Sequence, residues 1–463
     1  MTMVASMDPR SLSYIAKACA GEQLTGSPDA MARRACTDSR VLGAGDVFFA
    51  LSGDKFDGHN FLKEAMGKDA AAVVVNRQRL PVPPLTCAVI AVEDTRHALS
   101  RFAAEYRHDF KLPTIAVAGS NGKTTTKELI ASVLRQKLST IWSEASFNND
   151  IGVPLTLLRV ELHHEAGVFE VGTNHPGELA PLVAMIQPQF GVITSIGREH
   201  LEFFGDVEGV AQEEGWLAEL LPASGKLFLN GDTSFADVVA ERSRAPIVRI
   251  GFGDKNDWRI QDIYSGDRSV TFSVSAPEEK FSGEYHVNLL GRHQATNATL
   301  AIAVGAEFGL SIGEIRRGLA SCQPPKMRLQ IFESHGVRIL NDAYNANADS
   351  VLAALQTLSD FPCSGRRIAV LGDMAELGEH TFAAHAEVGR KVAELGEIRL
   401  VTVGAMASHT ADAARAAGLN DVTECSDVAE ATAVLKQMAR EGDVILLKAS
   451  RVTGLERVSE SLS

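Results

Sequence analysis

The sequence predicts an α/β protein with three domains, and three observations support this fold class. A chain of 463 residues is too long for one hydrophobic core. Apolar, β-branched runs alternate with segments of helical spacing, as in proteins built on parallel sheets. The pattern changes after a strand that ends near residue 92 and again at Gln323-Pro324-Pro325, whose prolines stiffen a join. We therefore expect domains at 1–93, 94–324 and 325–463.

The first expected domain is a small α/β unit. Apolar runs at 47–51, 72–75 and 88–92 indicate short strands, with one or two helices between them. The proline-rich stretch 81–84 is a stiff connection before the last of these strands.

The central domain is expected to bind nucleotide phosphates. An apolar strand at 114–118 leads into a turn in which Gly119 and Gly122 let backbone N–H groups point inward, and a helix follows. Lys123 supplies a positive charge for the terminal phosphates, and the Thr124 hydroxyl is placed to bind Mg²⁺. The pattern predicts an ATP-using protein. A glycine-rich turn that only caps the helix is the weaker alternative.

Other features define the kind of central domain. Val117 stands where the general phosphate-loop pattern has glycine, which predicts a variant loop. Strands at 167–171 and 190–195 extend a parallel sheet, and the short alternating strands between 226 and 290 predict an antiparallel patch at its edge. The whole is expected to be an ATPase-like parallel-sheet domain.

Two polar residues follow central strands. Glu170 ends a buried strand, where ligands of open α/β sheets collect, so its carboxylate can bind the same Mg²⁺ as Thr124. Its alternative role is to cap or pair within a loop. His200 ends the next strand, and a lone histidine is more often structural. The acidic run Gln212-Glu213-Glu214, taken alone, is an ordinary solvated helix face.

The third expected domain is Rossmann-like and doubly wound, because strands and helices alternate regularly from 367 to 448. Before them, Asp342 ends a strand and is a natural acceptor for a ribose hydroxyl. For Asp349 and for Ser350, capping of the helix that follows is an alternative as well supported as a role in the site. The segments 372–378 and 448–451 also end strands, and their polar groups are expected to line a cleft that faces the nucleotide domain.

Composition excludes several function classes. A net charge of −13 argues against nucleic acid as a partner. The six cysteines have no metal-binding spacing, and no apolar run reaches the length of a membrane span. We expect a soluble, cytoplasmic protein. A monomer is expected, although no sequence feature specifies the oligomeric state.

Over nearly the whole chain these motifs resemble the Mur ligases, the ATP-dependent amide-forming enzymes of peptidoglycan synthesis. The N-terminal segment resembles the domain that binds the UDP part of the substrate, and the resemblance lies in Thr37-Asp38-Ser39-Arg40, 45–53 and 56–61. Tyr344-Asn345-Ala346-Asn347 and the 372–378 segment are most similar to the member that adds D-alanyl-D-alanine. The Asp-Asn-Pro-Arg signature of the member that adds the third peptide residue is absent from the sequence.

The resemblance implies roles for individual residues. The residues implied to bind ATP are Gly119, Ser120, Asn121, Gly122, Lys123, Thr124, Thr125, Asn297, Arg328 and Asp342. The implied Mg²⁺ ligands are Thr124 and Glu170 for one ion and His200 for the other, and the implied catalytic residues are Lys123, Glu170, His200 and Arg328. To these metal ligands we add Glu214 as an expectation of our own. The residues implied to contact substrate are Ser39, Arg40, Asp57, His59, Asn345, Asn347, Lys448 and Ser450.

The same resemblance implies a reaction and its partners. ATP phosphorylates the terminal carboxylate of UDP-N-acetylmuramoyl-tripeptide, the amine of D-alanyl-D-alanine attacks the acyl phosphate, and ADP and phosphate leave. Cations must offset the repulsion between carboxylate and triphosphate. Lys123 and two Mg²⁺ ions are expected to do so. Closure of the third domain is expected to complete the site. The third residue of the peptide is not readable from the sequence.

One departure from the family concerns Glu214. The family commonly has a carbamylated lysine fourteen positions after the histidine, where this chain has Glu214. We expect Glu214 to supply the anionic group directly, without CO₂. Gln294 in place of the usual asparagine and Ala348 in place of the usual proline are smaller departures.

Three alternatives compete with this interpretation. Folylpolyglutamate synthase shares the variant loop and the acyl-phosphate route but lacks a UDP-binding N-terminal domain. A nucleotide switch or motor predicts ATP hydrolysis without acceptor substrates. A pure binding module does not need the metal site that Lys123, Glu170 and His200 indicate.

Overall fold

The computed structural model describes residues 4–53, 56–80 and 86–462. Within these ranges the chain forms three large sheets and one two-stranded hairpin. The predicted proline-rich connection at 81–84 lies outside the described residues. Among the helices of these same ranges, none combines the length and the apolar character needed to cross a membrane.

The first unit is a mixed six-stranded sheet. Its elements are β1 (Val4–Ser11), α1 (Leu12–Ala18), β2 (Glu22–Thr25), β3 (Met31–Cys36), β4 (Val47–Phe49), β5 (Ser52–Gly53), β6 (Phe56–Asp57), α2 (Leu62–Gly67), β7 (Ala72–Asn76), β8 (Ala88–Val92) and α3 (Thr95–His108). The strand order is β1-β3-β4-β7-β8-β2, with β3, β4, β7 and β8 parallel and both edge strands antiparallel. β5 and β6 form the separate hairpin.

Helix α3 joins the first unit to the central one. Its Phe102 stacks on Phe49 of β4, with ring centroids 6.0 Å apart. One turn later, the Tyr106 hydroxyl accepts a hydrogen bond from Asp8 N–H (2.8 Å) and donates one to the Val160 carbonyl (2.7 Å). The helix thus packs on both units, and the boundary at 93/94 stays a prediction.

The central unit is a nine-stranded sheet with the predicted parallel core. Its elements are β9 (Thr114–Ala118), α4 (Lys123–Leu134), β10 (Thr140–Trp142), α5 (Gly152–Leu157), β11 (Ala166–Glu170), α6 (Leu179–Ile186), β12 (Phe190–Ile193), α7 (Leu201–Phe204), α8 (Val207–Leu220), β13 (Lys226–Asn230), α9 (Ala236–Glu241), β14 (Ile247–Gly251), β15 (Trp258–Ser265), β16 (Val270–Ser275), β17 (Gly283–Val287), α10 (Gln294–Glu307) and α11 (Ile312–Ser321). The strand order is β10-β11-β9-β12-β13-β14-β15-β16-β17. Neighbouring strands pair in parallel from β10 as far as the β14–β15 pair. The antiparallel patch is therefore confined to β15–β17.

The third unit is doubly wound, as predicted. Its elements are β18 (Gln330–Ser334), β19 (Val337–Asn341), α12 (Ala348–Asp360), β20 (Arg367–Gly372), α13 (Thr381–Leu395), β21 (Ile398–Val403), α14 (Ala407–Ala416), β22 (Val422–Cys425), α15 (Val428–Met438), β23 (Val444–Lys448) and α16 (Glu456–Leu462). The strand order is β18-β19-β23-β20-β21-β22, with only β18 antiparallel in this sheet of the described chain. Alternate strand residues pack on opposite faces: Leu340 lies in the core under α12, and Ile339 in the core under α15 and α16.

The mainly parallel sheets of the central and third units determine where the site lies. In each, polar residues follow the carboxyl ends of the strands, which is where open α/β sheets bind ligands. β11, β9 and β12 are neighbours in the central sheet, and β19, β23 and β20 are neighbours in the third. The two sets of strand ends face a shared cavity.

Candidate active site

A cavity of about 820 Å³ lies between the central and third units. Among the described residues, its lining comes from these two units alone. The sequence-predicted site residues that line it are Ser120, Asn121, Gly122, Lys123, Thr125, Glu170, His200, Asn297, Arg328, Asp342, Asn345, Asn347 and Lys448. Thr124 is buried behind the wall, where its hydroxyl contacts Glu170.

The loop between β9 and α4 depends on its glycines. Gly119 has φ +117° and Gly122 has φ +85°, both in the region that favours glycine. A Cβ on Gly119 would lie 2.5 Å from the Thr194 hydroxyl oxygen, and one on Gly122 would lie 2.7 Å from Asn297 Oδ1. The tight curl therefore needs glycine at both positions, and Lys123 begins the helix that follows.

Lys123 is held by acceptors of its own loop and by a carboxylate. Its Nζ donates to the Gly119 carbonyl and lies 3.3 Å from Glu199 Oε2. Burial lowers the pKa of Lys123, but the charges of Glu199, Glu214 and Glu170 outweigh burial and raise the pKa above its ordinary value. Lys123 is thus a fixed cation on the cavity wall.

Glu214 lies beneath the loop. Its Oε2 accepts a hydrogen bond from Gly119 N–H (2.7 Å), and its side chain is fully buried. Burial raises the pKa of Glu214 to about 8, against the opposing effect of Lys123, so the carboxylate form at neutral pH would require an additional cation such as Mg²⁺ nearby. Glu214 therefore supports the loop from behind, and its role as a metal ligand stays a prediction.

Glu170, the last residue of β11, contacts Thr124 of α4, and their shared binding of Mg²⁺ stays a prediction. Thr124 Oγ1 donates to Glu170 Oε1 (3.1 Å), which also accepts from Asn148 Nδ2 (2.9 Å). The other oxygen, Oε2, is buried and has no hydrogen-bond partner in the described part of the chain. The buried Lys127 ammonium is 4.0 Å from it. Glu170 thus presents an unsatisfied anionic oxygen beside a hydroxyl.

His200 is oriented by the third unit. It adopts φ +47° just before α7, and its Nδ1 is 2.5 Å from Glu376 Oε2. The hydrogen bond from His200 lowers the pKa of Glu376. A proton on Nδ1 shared with this carboxylate leaves the Nε2 lone pair for a metal, an arrangement typical of metal-binding histidines.

Asn297 packs against the phosphate loop from α10. Its Oδ1 accepts from the Thr126 hydroxyl (3.2 Å), and its Nδ2 donates to Gln294 Oε1 (2.8 Å). Gln294, the departure from the usual asparagine, therefore orients Asn297 at the cavity wall.

Arg328 and Asp342 come from either side of β18 and β19. Arg328 Nη2 donates to Thr124 Oγ1 (3.1 Å) across the two units, and its guanidinium lies over the Tyr344 ring at 4.4 Å. Asp342 accepts from Leu329 N–H (3.1 Å) and pairs with Lys448 Nζ at 2.6 Å. The third unit thus adds two cations to the cavity wall.

Residues of the 345–350 segment take separate roles. Asn347 caps α12 through Ser350 N–H (2.8 Å), and its Nδ2 donates to Asn121 Oδ1 (3.1 Å) in the phosphate loop. Asn345 is exposed in the cavity, and its carbonyl accepts from Lys448. Ser450 accepts from Ala375 N–H (2.9 Å) and lies behind the lining.

The N-terminal candidates make two separate sets of contacts, and neither set is part of the described lining of this cavity. Asp57 accepts from His59 Nδ1 (2.8 Å) and from Ser52 (3.0 Å), and although burial raises its pKa, these bonds lower it to about 2. The Ser39 hydroxyl donates to Glu64 (2.9 Å), and Arg40 is an exposed cation paired with Asp38. The structure does not bring this group into the described cavity lining.

Several residues at the site were not singled out in the sequence. Glu199 pairs with Lys123, Asn148 with Glu170, and Arg198 with Asp349 and Glu387. Glu199 and Arg198 directly precede His200, so their position after β12 was an available signal. Asn148 and Glu387 carry no local signal, because tertiary packing alone brings Asn148 to the cavity and Glu387 to Arg198.

Comparison with known proteins identifies the family. Three family models match successive parts of the chain: "Mur ligase family, catalytic domain" over residues 35–107, "Mur ligase middle domain" over 117–305, and "Mur ligase, glutamate ligase domain" over 327–451. The UDP-N-acetylmuramoyl-tripeptide--D-alanyl-D-alanine ligase of Bacillus subtilis is 34% identical over 92% of each chain. The chain belongs to the Mur ligase family. The Escherichia coli relative of the same name is also 34% identical over 92% of each chain.

Solved Mur ligases share the whole architecture. MurF from Acinetobacter baumannii is 29% identical, with a TM-score of 0.90 over 99% of both chains. MurF ligase from Thermotoga maritima, solved with ADP, is 27% identical, with a TM-score of 0.80 over 92% of this chain and 96% of that one. A folylpolyglutamate synthase from Mycobacterium tuberculosis, at 18% identity and a TM-score of 0.62, shares the fold alone. The three-domain Mur ligase fold expected from the sequence is confirmed.

Proposed function

We propose that this Mur ligase joins D-alanyl-D-alanine to UDP-N-acetylmuramoyl-tripeptide at the cost of ATP, through an acyl phosphate. The curated relatives that carry this name match the chain over nearly its full length. ATP is proposed as the phosphoryl donor because the phosphate loop lines the cavity and because the Thermotoga maritima enzyme was solved with ADP.

One observation carries the proposal. Cations from two units face one cavity: Lys123 from the phosphate loop, and Arg328 and Lys448 from the third unit. The proposed reaction must bring a carboxylate to the terminal phosphate of ATP, and two anions repel each other at that distance. Fixed cations on both walls offset this repulsion without reorganising during the reaction.

The residues of the central unit fit a Mg²⁺ ion. The buried Glu170 Oε2 has no hydrogen-bond partner in the described chain, and a hard cation would satisfy it. We propose that Thr124 and Glu170 hold one ion and His200 another, with Glu214 in support. Within the described residues, no cluster of three His, Cys, Asp or Glu could hold a metal unaided, so phosphate oxygens would complete each set. Bound Mg²⁺ would neutralise charge on the phosphates.

Other residues of the chain have proposed positioning roles. Backbone N–H groups of 119–125 would hold the phosphates at the start of α4. Asn297 would contact the adenine, and Asp342 would accept from the ribose. Asn345, Asn347, Lys448 and Ser450 would orient the peptide substrates. The 820 Å³ cavity has walls from both units, which would limit the access of water to the acyl phosphate and so its hydrolysis.

The N-terminal unit is proposed to bind the UDP part of the substrate through Ser39, Arg40, Asp57 and His59. Arg40 is the exposed cation of this group, suited to a diphosphate. We also propose domain limits at 93/94 and 324/325, a monomeric enzyme, and a cytoplasmic site of action, where ATP is available.

The test is ligation by the full chain. Phosphate release from Mg·ATP is measured with UDP-N-acetylmuramoyl-tripeptide and D-alanyl-D-alanine, with single amino acids as acceptors, and with no acceptor. The proposal predicts release that requires both substrates and a product heavier by one dipeptide in mass spectrometry. Release that ignores both substrates, or transfer of glutamate to a folate instead, would refute it.

A further inference from the structure

Four consecutive residues after β12 contact two partners. Gly197 N–H donates to the Ser120 hydroxyl of the phosphate loop (2.8 Å), and Glu199 pairs with Lys123 of the same loop (3.3 Å). Arg198 and His200 instead contact the third unit. We name residues 197–200 the coupling turn, because it touches both the phosphate loop and the third unit.

Arg198 makes the most extensive of these contacts. Its backbone N–H donates to Asp349 Oδ2 (2.8 Å), and its Nε and Nη2 donate to Asp349 Oδ1 at 2.8 and 2.7 Å. Its Nη1 is 2.5 Å from Glu387 Oε2. One guanidinium thus holds the first turn of α12 and the middle of α13. Lysine would be an incomplete substitute for Arg198, because one ammonium group cannot reproduce the separate N–H donors that the guanidinium directs at two carboxylates.

The approach at this contact is tight. A Cβ on Gly197 would lie 2.6 Å from Asp349 Oδ2, so α12 meets the backbone of the coupling turn directly. Asp349 therefore does not cap α12, a role taken by Asn347. Its carboxylate is committed to the contact between the two units.

We propose that Arg198 is a positioning residue that couples docking of the third unit to the arrangement of the phosphate loop, through its double ion pair with Asp349 and Glu387. This inference rests on the proposed ligase function. Of the links across the cavity, Arg328–Thr124 and His200–Glu376 involve proposed catalytic residues, whereas the Arg198 contacts do not. The docked form is the one that holds Arg328 and Lys448 on the cavity wall with Lys123, so its population sets the ligation rate.

The experiment compares Arg198→Met, Arg198→Lys, Asp349→Asn, Glu387→Gln and the double variant Arg198→Met/Asp349→Asn in the full chain. Glu424→Gln is the matched control, because it removes an exposed ion pair with Arg415 (2.6 Å) on the third unit outside the cavity lining. Readouts are kcat for ligation, Kd for Mg·ADP, melting temperature and radius of gyration from X-ray scattering.

We expect Arg198→Met to lower kcat by about tenfold or more and to increase the radius of gyration with Mg·ADP bound. Kd for Mg·ADP should rise by a smaller factor than kcat falls, because the residues that hold the phosphates lie mainly in the central unit and only Arg328 and Asp342 are added from the third. Arg198→Lys should recover part of kcat. Asp349→Asn should lower kcat less in Arg198→Met than in the wild type, since the side-chain contacts are already lost and only the bond from the backbone N–H of residue 198 remains. The control should match the wild type.

Three results would overturn the inference: unchanged kcat in Arg198→Met, full additivity of Arg198→Met and Asp349→Asn, or a loss of kcat matched by losses in Mg·ADP affinity and melting temperature. If Arg198→Met does not fold, Glu387→Gln decides the question with the same readouts, since Glu387 lies outside the cavity lining. Wild-type enzyme is assayed in parallel. A wild type without ligation refutes the proposed function, whereas a ligating wild type with indifferent variants refutes only the coupling.

Discussion

Lys123 is the residue on which the phosphate site most depends. It is the cation among three buried carboxylates, Glu170, Glu199 and Glu214, whose combined charge raises its pKa. It stays protonated across the neutral range, so its positive charge is available to the terminal phosphates whenever they bind.

Replacing Lys123 by alanine should abolish ligation while the fold is retained. The expected loss of kcat is at least about a hundredfold, because a fixed cation at the developing charge is removed. Ligation measures the first effect, and circular dichroism with thermal unfolding measures the second. A Lys123→Ala enzyme with near-wild-type ligation would mean that the ATP site is assigned wrongly.

Glu214→Gln should weaken the use of Mg²⁺, with a higher Mg²⁺ concentration needed for half-maximal rate, and the wild-type rate should not depend on dissolved CO₂. The reason is the loss of the proposed anionic support beneath the loop. Glu213→Gln is the control: this neighbour accepts from Leu179 N–H (2.8 Å) and Gly177 N–H (2.9 Å), away from Lys123. Normal rate and normal Mg²⁺ dependence in Glu214→Gln would exclude this role.

At the scale of elements, the β9–α4 turn is set by backbone geometry. Gly119→Ala should distort the turn at a cost of about 1–3 kcal/mol, because alanine at φ +117° is strained and its Cβ meets Thr194 and Ser195. Mg·ATP binding, measured by calorimetry, should weaken accordingly. The control Gly67→Ala, at the end of α2 where a Cβ has open space, should bind Mg·ATP with the affinity of the wild type. Equal affinities in the two variants would contradict the account of the turn.

The start of β23 depends on a buried carboxylate. Asp443 accepts from Arg366 Nη2 (2.6 Å), Arg366 N–H (2.9 Å) and Arg440 N–H (2.9 Å). Burial raises the pKa of Asp443, but these donors outweigh burial and lower it below the ordinary value. A lowered folded-state pKa gives stability that is present above the unfolded-state value near 3.9 and is lost as pH falls through the folded-state pKa.

Asp443→Asn should therefore lower the free energy of unfolding by about 2 kcal/mol at pH 7. The gap between wild type and variant should narrow as the pH falls below about 4. Urea unfolding at several pH values measures both, within the range where unfolding is reversible. A gap that is constant with pH would show that the Asp443 charge does not contribute.

The periodic elements were predictable, and those set by tertiary pairing were not. The strand at 114–118 and the doubly wound alternation after 367 follow from local apolar patterns, which parallel strands buried on both faces make strong. The sequence placed the antiparallel patch over 226–290, but β13 and β14 pair in parallel, because strand direction depends on the crossover helices and not on local composition.

For the whole molecule, the sequence predicted one site from the phosphate loop, Glu170, His200, Asn297, Arg328 and Asp342. All of these residues line one cavity except Gly119 and Thr124 of the loop. Contacts between units were not predictable, because Arg198 with Glu387 and His200 with Glu376 are 189 and 176 residues apart. No local pattern reports a pairing at such separation. These contacts also explain why catalysis is proposed to depend on docking of the third unit.

We propose that two steps take place in one cavity: the terminal phosphate of ATP is transferred to a carboxylate with release of ADP, and an amine then attacks the acyl phosphate, forming the amide and releasing phosphate. The most direct test is ligation with ¹⁸O in the terminal carboxylate of UDP-N-acetylmuramoyl-tripeptide. An acyl phosphate passes one carboxylate oxygen to phosphate when the amine displaces it, so the account predicts one ¹⁸O in each phosphate released. Phosphate without label from a reaction that forms the amide would contradict it.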